Sequence, residues 1–466
     1  MTLSVALLLP WATGAVVAAL DGRRRVVGWF AVAVLTATLA LLAVLTAQVL
    51  TGGSRDVLTG GWPAGVGIVL HPDVLGVTFA TLSVLVLLAA TAHEVLAGVR
   101  ERVFPGLVLL LAGGLTGLFL TGDVFNFYVF FELAMTASYA LTTYGGGPRQ
   151  LRAAMVFAAV NLLGSFIFLI SVAGTYRVTG VLAMHQVAER MPGVDPNAAI
   201  LVAAGFFIAF SVKLGLFPFH FWLPTVYAGS RPVVAAILSG AVANIGAYGL
   251  LRFGPGMFPG QLRLAATALV VLGAVSLVYG AVLAVARGDV AESLAYSAIG
   301  QVGYVLVALG VGGPVGLTAA VLYSIVNALN KTLLFLAVEI RGVLVAGAFA
   351  VGALSVAGVP PAAGFVGKLE MFRAGIVVGS ASLVVLLVVG SALSLVYMFQ
   401  IYQGRFWRAD PSGQGPPSML SLRLLTAAVA LLVLATGLWP EPLLSVSGRA
   451  AEALTAESVG TAGAPG

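Results

Sequence analysis

Residues 206–224 read FFIAFSVKLGLFPFHFWLP. A single cation, Lys213, stands in this apolar run, and Pro218 and Pro224 follow it closely. The flanking residues are as apolar as those of a bilayer span, which takes ~20 of them in succession. An ionisable group at mid-membrane costs at least ~2.5–3.5 kcal/mol on insertion scales, so each one needs a reason. Lys213 lies too deep to snorkel easily to either edge. Its protonation state responds both to burial and to any nearby carboxylate. An arginine could not take this part, because it stays protonated. The alternative for Lys213 is a fixed structural ion pair.

The rest of the chain extends the pattern. Of 466 residues, 60% are hydrophobic and only 9% are charged, whereas a soluble domain carries about 25% charge. Long unbroken apolar runs replace the ~10-residue alternating strands of a membrane β-barrel. The sequence therefore predicts an all-α integral membrane protein with about fourteen transmembrane helices, read as one polytopic domain over residues 1–466. The seventh span is expected at 198–217, the eighth at 225–252, the twelfth at 342–367 and the thirteenth at 375–403. The longest polar breaks fall near 51–65, 185–197 and 404–418, and in the tail after Pro440. The first apolar run, Thr2–Leu20, precedes Arg23-Arg24-Arg25 instead of following a positive segment, so it reads as a retained helix.

Twenty of the 23 basic residues are arginines, nearly all in the gaps between spans, and only Lys213, Lys331 and Lys368 are lysines. Odd-numbered connections hold twelve arginines and even-numbered ones six. The positive-inside bias then places the odd connections in the cytoplasm and both termini outside the plasma (inner) membrane.

Four further ionisable residues interrupt apolar runs. Glu132 follows the aromatic sleeve Phe125–Phe131 and is the only carboxylate well inside a span. Lys213 is its obvious partner, and a neutral, hydrogen-bonded Glu132 is the alternative. Lys368 closes a run holding Gly358, Pro360, Pro361, Gly364 and Gly367, which breaks a helix. Unwound backbone at membrane depth is tolerated only where it lines a cavity or is buried in protein, and broken helices carry the ion sites of transporters. An interfacial lysine at a span end is the other reading. Lys331 has Asn327 four residues earlier on the same helix face, with Asn330 and Thr332 nearby. That polar stripe points to the bundle interior, as a water file or as an interhelical hydrogen-bond network. His220 lies seven residues after Lys213 but beyond a proline, and its titration range suits proton passage as well as a structural role.

Other chemistries are not supported. The chain has no cysteine, hence no disulfide, thiolate or cysteine-held metal centre. No phosphate-cradling loop, nucleophile elbow or HxxxH pair occurs, so neither cofactor nor metal nor enzymatic activity is expected, and the excess arginine does not point to nucleic acid.

Taken in order, Thr121-Gly122-Asp123-Val124-Phe125-Asn126-Phe127-Tyr128-Val129-Phe130-Phe131-Glu132, the run from Lys213 through Phe217-Pro218-Phe219-His220-Phe221-Trp222-Leu223-Pro224, Ala247–Arg252, Leu294–Ser297 with Gln301–Tyr304, and Pro360–Leu369 resemble the D-type subunit of the Mrp-type multisubunit sodium/proton antiporters. The wider superfamily includes the antiporter-like subunits of respiratory complex I and of membrane-bound hydrogenases. The resemblance implies fourteen transmembrane helices with two inverted five-helix repeats, near 103–252 and 262–403, whose seventh and twelfth spans are discontinuous. It implies that Glu132 and Lys213 form an ion-paired proton site, that Lys331 belongs to a polar axis, and that Lys368 is the exit-side lysine. It also implies partner subunits in a hetero-oligomeric membrane complex, with protons and monovalent cations as cargo and no cofactor. The chain departs from the family pattern at Asn244 and Asn327, where a lysine and a histidine are often found. It also lacks the usual basic pair in Asp289–Ser293 and has a short link between Ile340 and Leu354. Alternatives are a proton-pumping subunit of a quinone oxidoreductase or hydrogenase, a solute permease acting alone, and a structural scaffold subunit.

Overall fold

A computed structural model describes residues 2–54, 56–58, 67–407 and 419–460, apart from the side chains of 419 and 456–460. The long apolar runs form α1 (Thr2–Ala19), α2 (Arg25–Gly52), α3 (Val74–Ala97), α4 (Phe104–Leu120), α5 (Val124–Thr142) and α6 (Pro148–Thr179). Between α2 and α3 in sequence, β1 (Val57–Leu58) pairs antiparallel with β2 (Val69–Leu70). After the short α7 (Met184–Arg190), α8 (Pro196–Leu214) and α9 (Trp222–Gly229) make one broken span. The next span comprises α10 (Pro232–Ile237), a π-helical turn at Leu238–Val242, and α11 (Asn244–Met257). There follow α12 (Pro259–Ala286), α13 (Val290–Val311), α14 (Gly313–Val338), α15 (Val343–Ala357), α16 (Ala363–Val377), α17 (Ala381–Tyr402), α18 (Met419–Leu438) and α19 (Glu441–Gly460).

Among the described residues, twelve helical segments are long and apolar enough to cross a membrane, and the shorter α4 and α15 are apolar too. Together these match the fourteen expected spans. Two boundaries need correction. Trp222–Gly229 belongs to the seventh span as its second half, and not to the start of the eighth. The twelfth span does not end at 367: its second half, α16, runs on to Val377. In both places the sequence stays apolar across the junction, so hydropathy alone misplaces it. The tail after Pro440, expected as a polar break, folds as α19. Its buried Ser447, Ala450, Ala451 and Leu454 recur at helical spacing and pack on α14, α11 and α3. Arg449 also donates to the carbonyl of Leu50, at the end of α2 (3.3 Å).

The most enclosed spans are the eighth, tenth and eleventh (Pro232–Met257, α13 and α14), so the centre of the bundle is where Asn244 and Lys331 lie. The outermost, α1, α2, α17 and α18, expose apolar side chains in the manner of lipid-facing helices. Small residues let α12 and α13 pack backbone to backbone: a Cβ on Gly280 would overlap the main chain at Gly300.

Candidate functional site

The seventh span breaks where its residues demand it. Gly215 adopts φ +65°, a left-handed cap that glycine takes without strain, and its N–H bonds back to the last turn of α8. Pro218 cannot continue the ladder. The freed groups find partners: Phe217 N–H donates to Ser276 Oγ of α12 (3.0 Å), and Trp222 Nε1 donates to the Val212 carbonyl (3.0 Å). The twelfth span repeats the design. Gly358 (φ +81°) caps α15, and Gly364 N–H at the start of α16 donates to Ser355 Oγ (2.9 Å). A Cβ on Gly364 would collide with the Ser355 carbonyl oxygen, which fixes how closely the two halves meet.

Each break holds a buried lysine at the carbonyl end of its first half-helix, where the helix dipole favours a cation. Lys213 stands in the last turn of α8. Its Nζ donates to the Asn161 carbonyl (3.0 Å) and to Ser165 Oγ (3.2 Å), both on α6, and lies 4.0 Å from the centroid of Phe131. Lys368 lies inside α16 and is buried; it is not an interfacial lysine at a span end. Its Nζ reaches back to the Ala357 carbonyl (3.0 Å) and stands 5.1 Å from the centroid of Tyr304.

Glu132 and Lys213 are not in ion-pair contact, contrary to the expectation from the family pattern. Glu132 acts on the lysine electrostatically, but its Oε1 is buried without a hydrogen-bond partner while the lysine turns to α6 and the Phe131 face. A small cavity beside Lys213, also lined by Asn161, Trp222, Tyr227 and Ala243, has about 10 Å³ of free space, room for a single water. The Asn161 Oδ1 has no hydrogen-bond partner.

The other expected residues divide into two groups. Lys331 is completely buried and donates to the Leu294 carbonyl (3.2 Å) and Ser297 Oγ (2.8 Å) of α13. Asn244 follows the π-helical turn at the bundle centre and its Nδ2 donates to the Gly240 carbonyl (2.8 Å), within its own span. Asn327 shares the Lys331 helix and its Oδ1 is a buried acceptor without a partner, as is that of Asn330. His220 does not continue the Lys213 face, because the chain breaks between them; it stacks on Phe217 and meets Tyr279 edge-on. Among the described residues no group of three or more His, Cys, Asp or Glu could hold a metal ion.

Two buried polar clusters were not foreseen. Arg252 pairs with Asp73 at 2.6 Å, both almost fully buried, and Asp73 Oδ1 also caps α3 by accepting from Gly76 N–H (2.8 Å). Burial alone would raise the Asp73 carboxyl, but Arg252, aided by His71 and the Gly76 N–H, holds it below the usual carboxylate range. Glu94, at the opposite end of α3, accepts a 2.5 Å hydrogen bond from the Tyr144 hydroxyl. The partners of Asp73 and Glu94 are 179 and 50 residues away in sequence, which hides both pairs from local pattern reading.

With this geometry in view, comparisons with known proteins are specific. The family described as NADH:quinone oxidoreductase/Mrp antiporter, TM, matches residues 121–394, more than half of the chain. Among curated relatives, the D-type subunit of the Na(+)/H(+) antiporter of Bacillus subtilis (strain 168) is 30% identical, over 89% of each chain. Among solved structures, a chain of the Mrp complex from Dietzia sp. DQ12-45-1b superposes with a TM-score of 0.91 at 29% identity, covering 99% of this chain and 98% of that one. A chain of respiratory complex I from Thermus thermophilus superposes with a TM-score of 0.83 at 26% identity, covering 98% and 100%.

Proposed function

The chain belongs to the membrane-subunit family shared by NADH:quinone oxidoreductases and Mrp antiporters, and from that premise we propose that it is the proton-translocating subunit of a multisubunit sodium/proton antiporter. It is a multi-pass membrane protein, not an enzyme in its own right, and it works with partner subunits. Protons move along a buried axis from Glu132 and Lys213, past Asn244 and Lys331, to Lys368. Residues near 103–252 and 262–403 act as two related halves, each built on one broken helix. The odd-numbered connections face the cytoplasm and both termini lie outside the inner membrane, in accord with the arginine bias.

The observation that carries this reading is the state of the three lysines. Each is buried, each is anchored by a helix carbonyl, and among the described residues none touches a carboxylate. An ammonium so placed is held, but not locked by a counter-ion, and can give up its proton. Glu132, near Lys213 but out of contact, supplies the variable field. When the two side chains pair, the lysine keeps its proton; when Lys213 swings onto α6, as seen here, that hold weakens. At the two asparagines the axis has no titratable group, and water must carry the proton past them.

Glu132→Ala or Lys213→Ala, expressed with all partner subunits, is expected to abolish sodium-driven proton exchange in everted vesicles. Normal exchange in either variant would overturn the scheme. The likeness to complex I favours one second reading, a proton-pumping subunit of a redox-driven complex. The two are separated by what co-purifies with the chain: small antiporter subunits in the first case, iron–sulfur and flavin subunits in the second.

A further inference from the structure

Ser297, Gln301 and Tyr304 lie on one face of α13 at i, i+4, i+7 spacing, and Gly390, Ser394 and Tyr397 repeat that spacing on α17. The helices run antiparallel, so Ser297 meets Tyr397 while Tyr304 meets Gly390. Lys331 Nζ donates to Ser297 Oγ (2.8 Å), Ser297 Oγ and the Tyr397 hydroxyl are 2.9 Å apart, and the Tyr397 hydroxyl donates to Ser394 Oγ (3.3 Å). Gln301 holds the middle of this chain, its Nε2 donating to the Tyr397 hydroxyl (3.1 Å) and its Oε1 accepting from the Tyr323 hydroxyl. Next to Ser394 come the Tyr304 hydroxyl and Ser391 Oγ, both buried; the Tyr304 hydroxyl lies near both serine hydroxyls but completes a hydrogen bond with neither. The Tyr304 hydroxyl occupies the space that a Cβ on residue 390 would fill, and Lys368 Nζ stands over the Tyr304 ring.

We infer that Ser297, Tyr397, Ser394 and Tyr304 form a hydroxyl relay that carries protons between Lys331 and Lys368, with Gln301 as the positioning residue that keeps Tyr397 in line. This rests on the proton-translocation reading above. In one passage an N–H bond of the Lys331 ammonium breaks and its proton goes to Ser297. The Ser297 proton passes to Tyr397, the Tyr397 proton to Ser394, the Ser394 proton to Tyr304, and the Tyr304 proton, through a bridging water, to the Lys368 amine, which stands over the Tyr304 ring and not on its hydroxyl. Each hydroxyl gains one proton and loses one, so the only net change is a proton moved from one lysine to the other. Ser297 and Tyr304 are seven residues apart on α13, so the relay covers ~10 Å at the 1.5 Å rise of a helix, about a third of a ~30 Å hydrocarbon core. The relay also has a closed position. Ser394 Oγ now donates to the Gly390 carbonyl (2.7 Å), and it must turn toward the partnerless Tyr304 hydroxyl before a proton can pass. The Gln301 amide does not itself relay, since its carbonyl accepts and its NH₂ donates at fixed positions.

The test uses the complete complex in everted vesicles, with sodium-driven proton exchange measured in H₂O and D₂O. Tyr397→Phe keeps the ring and removes the hydroxyl, and is expected to slow exchange about tenfold or more. Ser394→Thr and Ser394→Val have nearly the same shape and differ in the hydroxyl, so the threonine variant is expected to stay near the parent rate while the valine variant slows. In each slowed variant the H₂O/D₂O rate ratio should rise, because proton transfer has become limiting. Parental exchange in Tyr397→Phe overturns the relay, as does equal exchange in the two Ser394 variants or slowing with an unchanged isotope ratio. If Tyr397→Phe fails to assemble, the Ser394 pair decides. Loss of exchange in Glu132→Ala together with parental exchange in Tyr397→Phe would remove the relay alone, whereas parental exchange in Glu132→Ala would remove the reading beneath it.

Discussion

Lys213, Lys331 and Lys368 contrast with Arg252, which is buried beside the first turn of α3 and is the one buried arginine among the described residues. Arg252 cannot lose its charge, and the chain gives it a carboxylate at 2.6 Å. The lysines have no such partner in contact and rely on carbonyls, hydroxyls and aromatic faces. Fixed charge is paired and adjustable charge is not. Removing one member of a buried pair strands the other, so Asp73→Ala should destabilise the protein by ~3–5 kcal/mol, read as a fall in Tm of the purified complex in detergent. Because the folded Asp73 carboxyl sits below its free value, its ionisation favours the fold at pH above about 4. That contribution disappears as pH falls through the lowered value. Asp73→Asn should therefore flatten the acid limb of a stability–pH curve; an unchanged limb would show that the pair is not linked to folding. The three lysines were legible in the sequence because a charge in an apolar run needs no partner to be noticed. The Arg252–Asp73 pair was not, because neither residue is unusual beside its own neighbours. The missing Glu132–Lys213 contact could not be read either, since spacing predicts proximity and not which of two partner sets a flexible lysine adopts.

The two broken spans are where backbone chemistry and function meet. Pro218 and Pro224 announced the first break and a glycine–proline run the second, and their approximate places were legible. Their two halves were not, because the residues on either side of each break are equally apolar and mark no edge. At Gly364 an added methyl meets a main-chain carbonyl that cannot move aside, whereas Gly347 in α15 has open space around it. Gly364→Ala should lower Tm and the amount of assembled complex, while Gly347→Ala should be neutral or gain up to ~1 kcal/mol from helix propensity. Equal stability of the two variants would mean that the close approach of α16 to α15 does not matter. The hydroxyl faces of α13 and α17 belong to the same lesson. Their i, i+4, i+7 spacing is visible in sequence, but that they face each other follows only from the antiparallel packing of two helices about a hundred residues apart.

Across the whole molecule, composition alone indicated a membrane bundle, and the fourteen spans followed from counting apolar runs. What composition missed was α19, whose small buried residues give little hydropathy but pack well against α14. Orientation is open to a clean measurement because the chain has no cysteine. A single cysteine at exposed Asp21, in the first connection, should resist a membrane-impermeant thiol reagent in intact cells. One at exposed Gly193, after the sixth span, should react. The reverse pattern would invert the assignment. The central claim is that the lysines work by changing charge, not by carrying it. Lys213→Arg in the otherwise intact complex tests this most directly, because it keeps a cation at the first break and forbids its neutralisation. Proton movement in everted vesicles, followed by quenching of a pH-sensitive dye on sodium addition, is predicted to fall to the level of vesicles lacking the complex. Sodium-driven exchange at the parent rate in Lys213→Arg would contradict the account.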